Sequence, residues 1–399
     1  MPHSETPSCL FRPASVRGTS AFVACACALL LSSCSTSFHL DRALEAGSSD
    51  WLQHGGDAGR RHVSALALRD RTDSVDVTVV WEFSLDGMSA RAAPLLVDGA
   101  VIFSSTTGMA EAVDLRSGTR IGRFPCTWFI HGTPAIADGC LFIATSGIEP
   151  LLLCFDLRAR AMRYETRIPS VHASLCAVDG GVIVAARSGE VSRYASRDSI
   201  AVWSVSLDGV ITAAPAASDS MVIVAAQNGD LSGLSLRDGT RCWRLPTTSA
   251  FLADPSVANG LVVAVNAAGT MVAVDLHQGT ERWRRDFGDA VYYGTARRGD
   301  TIAVALAGGD VVLLREDDGA ELARWRTDEL PGASPLFSGA VLLQLLRRGE
   351  LRAIDLATGA MRTVRRLDAR STSAPLLTGE GVVLVDEEGD AVCVRMMRK

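Results

Sequence analysis

The sequence predicts an all-β fold, an eight-bladed β-propeller, and two observations carry that expectation. The first is a fixed period. Pro94, Pro134, Ser174, Pro215, Pro255, Thr295, Pro335 and Pro375 recur every 40 or 41 residues. The second is what each period contains: apolar runs of five or six residues, rich in Val, Leu and Ala, cut by Asn-Gly, Asp-Gly and Thr-Gly. Self-similarity at one period marks a repeat architecture, and four short strands per roughly 40–45 residues make one propeller blade. No run within the repeats keeps a 3.6-residue apolar period over ten or more residues, which argues against a helical solenoid.

Each unit reads from its anchor. After Pro255 comes an apolar strand to Asn259-Gly260, a second over Leu261–Asn266, a third over Met271–Leu276, and a fourth carrying Trp283. The units after Pro215 and Pro335 follow the same order. Glycine supplies the positive φ that such two-residue turns demand. The last unit, from Pro375, has room for only three strands before Lys399. Residues 76–83, which carry Trp81 and precede the first anchor, are expected to supply its fourth strand. They would close the ring and leave no open sheet edge. Seven blades is the alternative count.

Trp203, Trp243, Trp283 and Trp325 lie 28 to 30 residues after their anchors, Trp81 ends the leading strand, and Phe124 and Tyr164 take the same place in their units. These aromatics are expected to pack between neighbouring blades.

The 399 residues, 48% of them hydrophobic, suffice for one large domain. The net charge of −6 argues against nucleic-acid binding, which needs a basic face. Only Lys399 is a lysine, so Ser-Lys catalysis is implausible.

The N-terminus reads as an export signal over residues 1–33. Arg12 and Arg17 precede the apolar stretch Ala21–Leu31, which is too short to span a bilayer. Leu31-Ser32-Ser33-Cys34 resembles a bacterial lipoprotein signal, which implies cleavage before Cys34 and lipid on its sulfur. Ser35 after it implies, by the same resemblance, retention at the outer membrane, facing the periplasm. Residues 34–50 read as a lipidated cysteine and flexible tether, and residues 51–399 as the propeller.

No Cys-x-x-Cys, His-x-His or His-Glu-x-x-His occurs, and no Gly-x-Ser-x-Gly or Gly-Lys phosphate loop, so no metal, cofactor or catalytic residue is expected. Cys140 and Cys154 lie symmetrically about Gly147 and are placed to face each other across one hairpin, as a disulfide or as packing residues. The acidic runs Glu316-Asp317-Asp318 and Asp386-Glu387-Glu388 read as solvated loops.

Val274-Asp275-Leu276-His277-Gln278-Gly279-Thr280 followed by Trp283, with partial copies at Val113–Thr119 and Ile354–Gly359, resembles the repeat of propellers of the pyrroloquinoline-quinone type. Trp51-Leu52-Gln53-His54-Gly55-Gly56-Asp57 is similar to the segment that precedes such propellers. Within that group, a lipoprotein made of one propeller is similar to the BamB family of outer-membrane protein assembly factors. That resemblance implies a non-enzymatic scaffold that docks on a BamA-type insertase and helps deliver unfolded outer-membrane proteins. It also places docking in the loops before two neighbouring anchors, here Leu207–Thr212 and Ser249–Ala253, whose residues depart from the family pattern. Quinoprotein dehydrogenases share the repeat, but their adjacent cysteine pair is absent. The alternatives are a binding module for a quinone or a cell-wall glycan and, more remotely, a quinone-dependent enzyme.

The residues just before each innermost strand should ring the channel mouth on one face. Arg91, Phe129, His131, His172, Phe251, Tyr292 and Tyr293 are the partner-binding candidates, because aromatics mixed with Arg and His are the composition of interaction hot spots.

Overall fold

Within each unit the apolar runs pair as an antiparallel four-stranded meander, and eight such sheets form the ring. The computed structural model describes residues 38–47, 50–64, 75–88 and 92–398; Cys34, the export signal and Arg91 lie outside them. Blade 5 shows the pattern: Ser256–Ala258 lines the channel, followed outward by Leu261–Val265, Thr270–Asp275 and Glu281–Asp286. The inner strands are buried on both faces and are therefore continuously apolar, whereas the outermost strand alternates. Apolar clusters form between adjacent sheets, so the hydrophobic core is a ring of interfaces.

The ring closes as the leading strand suggested. Val75–Ser84 pairs antiparallel with Asp390–Arg398 and becomes the outermost strand of blade 8. The aromatics then stitch blade to blade. The indole nitrogens of Trp203, Trp243 and Trp283 donate to the carbonyls of Leu236, Leu276 and Glu316, in the strand-connecting turn of the next blade, at 3.0, 2.8 and 2.7 Å. The recurring turn glycine has a packing reason as well as a conformational one. At Gly279, with φ of +68°, a Cβ would stand 2.5 Å from the Trp243 ring.

Residues 50–64 do not merely lead into the propeller; they run around its inside. The amides two residues after the anchor, at Leu96, Ile136, Ala217, Val257, Arg297 and Phe337, donate in turn to the carbonyls of Trp51, Leu52, Ala58, Gly59, Arg61 and His62. In blade 3 the Gln53 side chain takes this part, accepting from the Ala177 amide and donating to its carbonyl. The segment thus satisfies inner strand edges that would otherwise present unpaired groups to the channel.

Three expectations need correction. Residues 38–47 are not a free tether. His39–Leu40 adds a strand to the outer edge of blade 1, Leu40 and Leu44 are buried, and Phe38 stacks on Phe155 and packs tilted against Phe124. Glu316 is not a solvated loop residue, because it is buried and ion-paired with the buried Arg297, which also donates to the Ser256, Leu261 and Ala258 carbonyls. Asp386 is likewise buried and accepts from the amides of Glu388, Gly389 and Asp390, capping its turn. Cys140 and Cys154 lie diagonally on neighbouring strands, opposite Asp156 and Phe142, and both are free thiols.

Candidate functional site

The anchors impose a fixed code on the loop that precedes each innermost strand. Four residues before the anchor, Ile130, Ile211, Phe251 and Val291 all turn into the core. Three residues before it, His131, Thr212, Leu252, Tyr292 and Thr372 line the mouth of the channel. Chain geometry therefore corrects one candidate. Phe251 is fully buried against blades 4 and 5, and its neighbour Leu252, 38% exposed, takes the mouth position. Tyr292 is 44% exposed and Tyr293 half-buried, both at the mouth, with His131 and His172 opposite. Arg91 occupies the equivalent position of blade 1 in sequence and is outside the described residues.

Two of the candidates are brought into direct contact. The His131 and His172 rings lie 4.4 Å apart, and Phe129 approaches His131 at 6.2 Å. Partial burial, with the Arg187 guanidinium nearby, lowers the His131 pKa. Burial, His131 and Arg187 lower that of His172. The pair is therefore neutral near pH 7 and acquires charge only in acid.

The floor of the mouth holds residues that sequence reading did not single out. His54 Nε2 lies 3.2 Å from Asp254 Oδ2, while Asp254 Oδ1 accepts from the Ala214 amide at 2.7 Å. Burial alone would raise the Asp254 carboxyl, but the hydrogen bond and charge of His54, with Arg60 beyond, hold it below the usual carboxylate range. His62, 2% exposed, meets His54 edge-on at 5.0 Å, and its pKa is driven well down by burial, with His54 and Arg60 adding to the effect. Arg60 is buried and donates to the carbonyls of Pro215, His54 and Leu175 at 2.6, 2.9 and 3.0 Å, which pins the segment to blades 3 and 4. The only advance signal for this cluster was the Trp51–Asp57 motif itself.

The cavity at this floor is small, about 100 Å³. Ligand pockets for drug-sized molecules start at roughly 300 Å³, so the mouth floor is too small for one, whereas a cavity of about 650 Å³ lined by Asp57, Gly59, Arg61, Asp219 and Asn259 opens at the opposite end of the channel. Among the described residues no group of three or more His, Cys, Asp or Glu is arranged to hold a metal ion.

Ring, closure and repeat together define a β-propeller of PQQ-like repeats. A family profile described as outer membrane protein assembly factor BamB matches residues 187–324 and 307–396, more than half of the chain, and the protein belongs to that family. Among solved structures, BamB from Moraxella catarrhalis superposes with a TM-score of 0.68 at 18% identity, over 80% of this chain and 100% of that one. Quinohemoprotein alcohol dehydrogenase from Comamonas testosteroni superposes with a TM-score of 0.75 at 12% identity, over 89% and 82% of the two chains. Such likenesses establish the fold alone. A 1-butanol dehydrogenase (cytochrome c) from Thauera butanivorans is 26% identical over 126 residues, which spans 28% of this chain and 18% of that protein.

Proposed function

We propose that the protein is a non-enzymatic scaffold, held by lipid on Cys34 at the outer membrane and facing the periplasm, which assists assembly of outer-membrane β-barrel proteins. Membership of the BamB family carries the reading. The closed ring and the shallow floor of the mouth support it, because together they leave a binding face there rather than a deep pocket. The partners in this reading are a BamA-type insertase and its unfolded β-barrel clients, held by contact with the mouth loops around Leu252 and Tyr292.

A quinone-dependent activity is the second reading, favoured by the short match to the 1-butanol dehydrogenase. The absence of an adjacent cysteine pair weighs against it, although the cavity of about 650 Å³ at the end of the channel opposite the mouth has room for a ligand.

The test is a mild detergent pull-down of the full-length protein from its own membranes, followed by mass spectrometry. Recovery of an outer-membrane insertase supports the scaffold reading. Its absence, with quinone-dependent alcohol oxidation by the purified protein, overturns it.

A further inference from the structure

We propose that Trp128, Phe129 and Ile148, which form an apolar tip at the mouth-side end of blades 1 and 2, dock into the lipid bilayer beside the anchor; this rests on the reading of Cys34 as lipidated. Ile148 is 85% exposed and Phe129 52% exposed. An exposed cluster of large apolar side chains marks a contact surface. The tip is held in shape rather than loose. The Ser146 amide donates to the Phe129 carbonyl at 2.8 Å, and the Trp128 ring lies over Gly147, where a Cβ would stand 2.6 Å from it.

The course of the chain selects a membrane as the occupant. His39 and Leu40 pair antiparallel with Arg123 and Gly122, and the Phe38 ring packs tilted against Phe124 at 4.7 Å. The chain therefore reaches blade 1 from its Pro125 end, and Trp128 lies three residues beyond Pro125. Because residues 38–47 are fastened down, only the four peptide steps from Cys34 to Phe38 can act as tether. Those steps reach at most about 14 Å. Lipid on Cys34 would thus bring the bilayer to the end of the molecule that carries the tip.

Composition agrees. Tryptophan sits at the headgroup level of bilayers, and Phe and Ile enter the acyl boundary. The Arg167–Glu149 pair flanks Ile148 with its side chains in solvent, a guanidinium positioned for lipid phosphate. The exposed Met162, Ile200 and Val202 begin the outermost strands of blades 2 and 3, at the opposite end of those strands. In this docked pose the mouth loops of blades 5 and 6, with Leu252 and Tyr292, remain free for a protein partner.

The experiment uses the full-length protein extracted from membranes and reconstituted into phosphatidylethanolamine–phosphatidylglycerol vesicles doped with a phospholipid carrying a photoactivatable acyl chain. The expected label falls on the peptides holding Trp128–Phe129 and Ile148. Ile148→Glu is expected to cut it at least fivefold while the protein stays on the vesicles. Label confined to Met162, Ile200 and Val202, spread evenly, or missing from the propeller overturns the proposal. The mass of the peptide beginning at Cys34 separates the two readings. If Cys34 is unacylated the anchor falls, and the docking then stands only if the tip still takes label.

Discussion

The indole nitrogen of Trp81 donates a 2.7 Å hydrogen bond to the carbonyl of Leu115. Trp81 belongs to the strand that completes blade 8 and Leu115 to blade 1, so this one side chain joins the two ends of the ring. Trp81→Ala is expected to cost about 3–5 kcal/mol, as for other buried aromatic truncations. Trp81→Phe keeps most of the area and should cost nearer 1 kcal/mol for the hydrogen bond. Urea unfolding followed by fluorescence gives both values. A cost below 1 kcal/mol for the alanine variant would mean that closure does not depend on this contact.

The Arg297–Glu316 pair gives a second test in blade 6. Glu316→Gln leaves the Arg297 guanidinium buried without its carboxylate, and loss of about 3–5 kcal/mol is expected. Replacing both residues with apolar side chains of similar volume should cost less than the single change. Equal losses would show that the ion pair itself contributes net stability.

Stability should fall with acid. The folded-state pKa of His62 lies well below its unfolded value of about 6.5. The unfolded chain therefore takes up the proton first, and stability is full above pH 6.5 and declines as pH drops below it, until the folded-state pKa is reached. The slope for one such group is at most about 1.4 kcal/mol per pH unit. Asp254, whose pKa is also depressed, contributes in the same direction only below about pH 4. Urea midpoints measured between pH 8 and pH 5 check this; His131 and His172, also lowered, add to the slope, and His62→Gln should reduce it by the share that His62 carries. An unchanged slope in that variant would place the titrating group elsewhere.

The strap over blade 1 has its own signature. Leu40→Asp sets a charge among Phe38, Phe124 and Phe155 and should free residues 38–47. Limited trypsin digestion is then expected to cut at Arg42 quickly in the variant and slowly in the parent. Equal rates would mean that the strap is already open in solution.

The repeat was legible because the strand order recurs at one period, so eight anchors, the tight turns and the closing strand could all be read. The position of Phe251 could be read only by lining it up with Ile130, Ile211 and Val291, which shows a buried apolar position shared by blades 2, 4, 5 and 6. Composition alone made it look like a surface aromatic. The path of residues 50–64 was not legible, because it is written in backbone hydrogen bonds to six blades, with the Gln53 side chain serving a seventh, rather than in any local pattern. Glu316 looked solvated because its partner, Arg297, lies 19 residues away. The strap at Leu40 and Leu44 was hidden among small polar neighbours whose average hid two buried leucines.

The central claim is that the mouth loops hold a protein partner. The most direct measurement compares membrane pull-downs of the parent and of Leu252→Asp/Tyr292→Ala, both full length and matched for thermal stability. The account expects at least tenfold less insertase with the variant, and undiminished capture by a control such as Asp219→Arg on the opposite face. Equal recovery from parent and mouth variant would contradict it and move the interface away from the channel mouth.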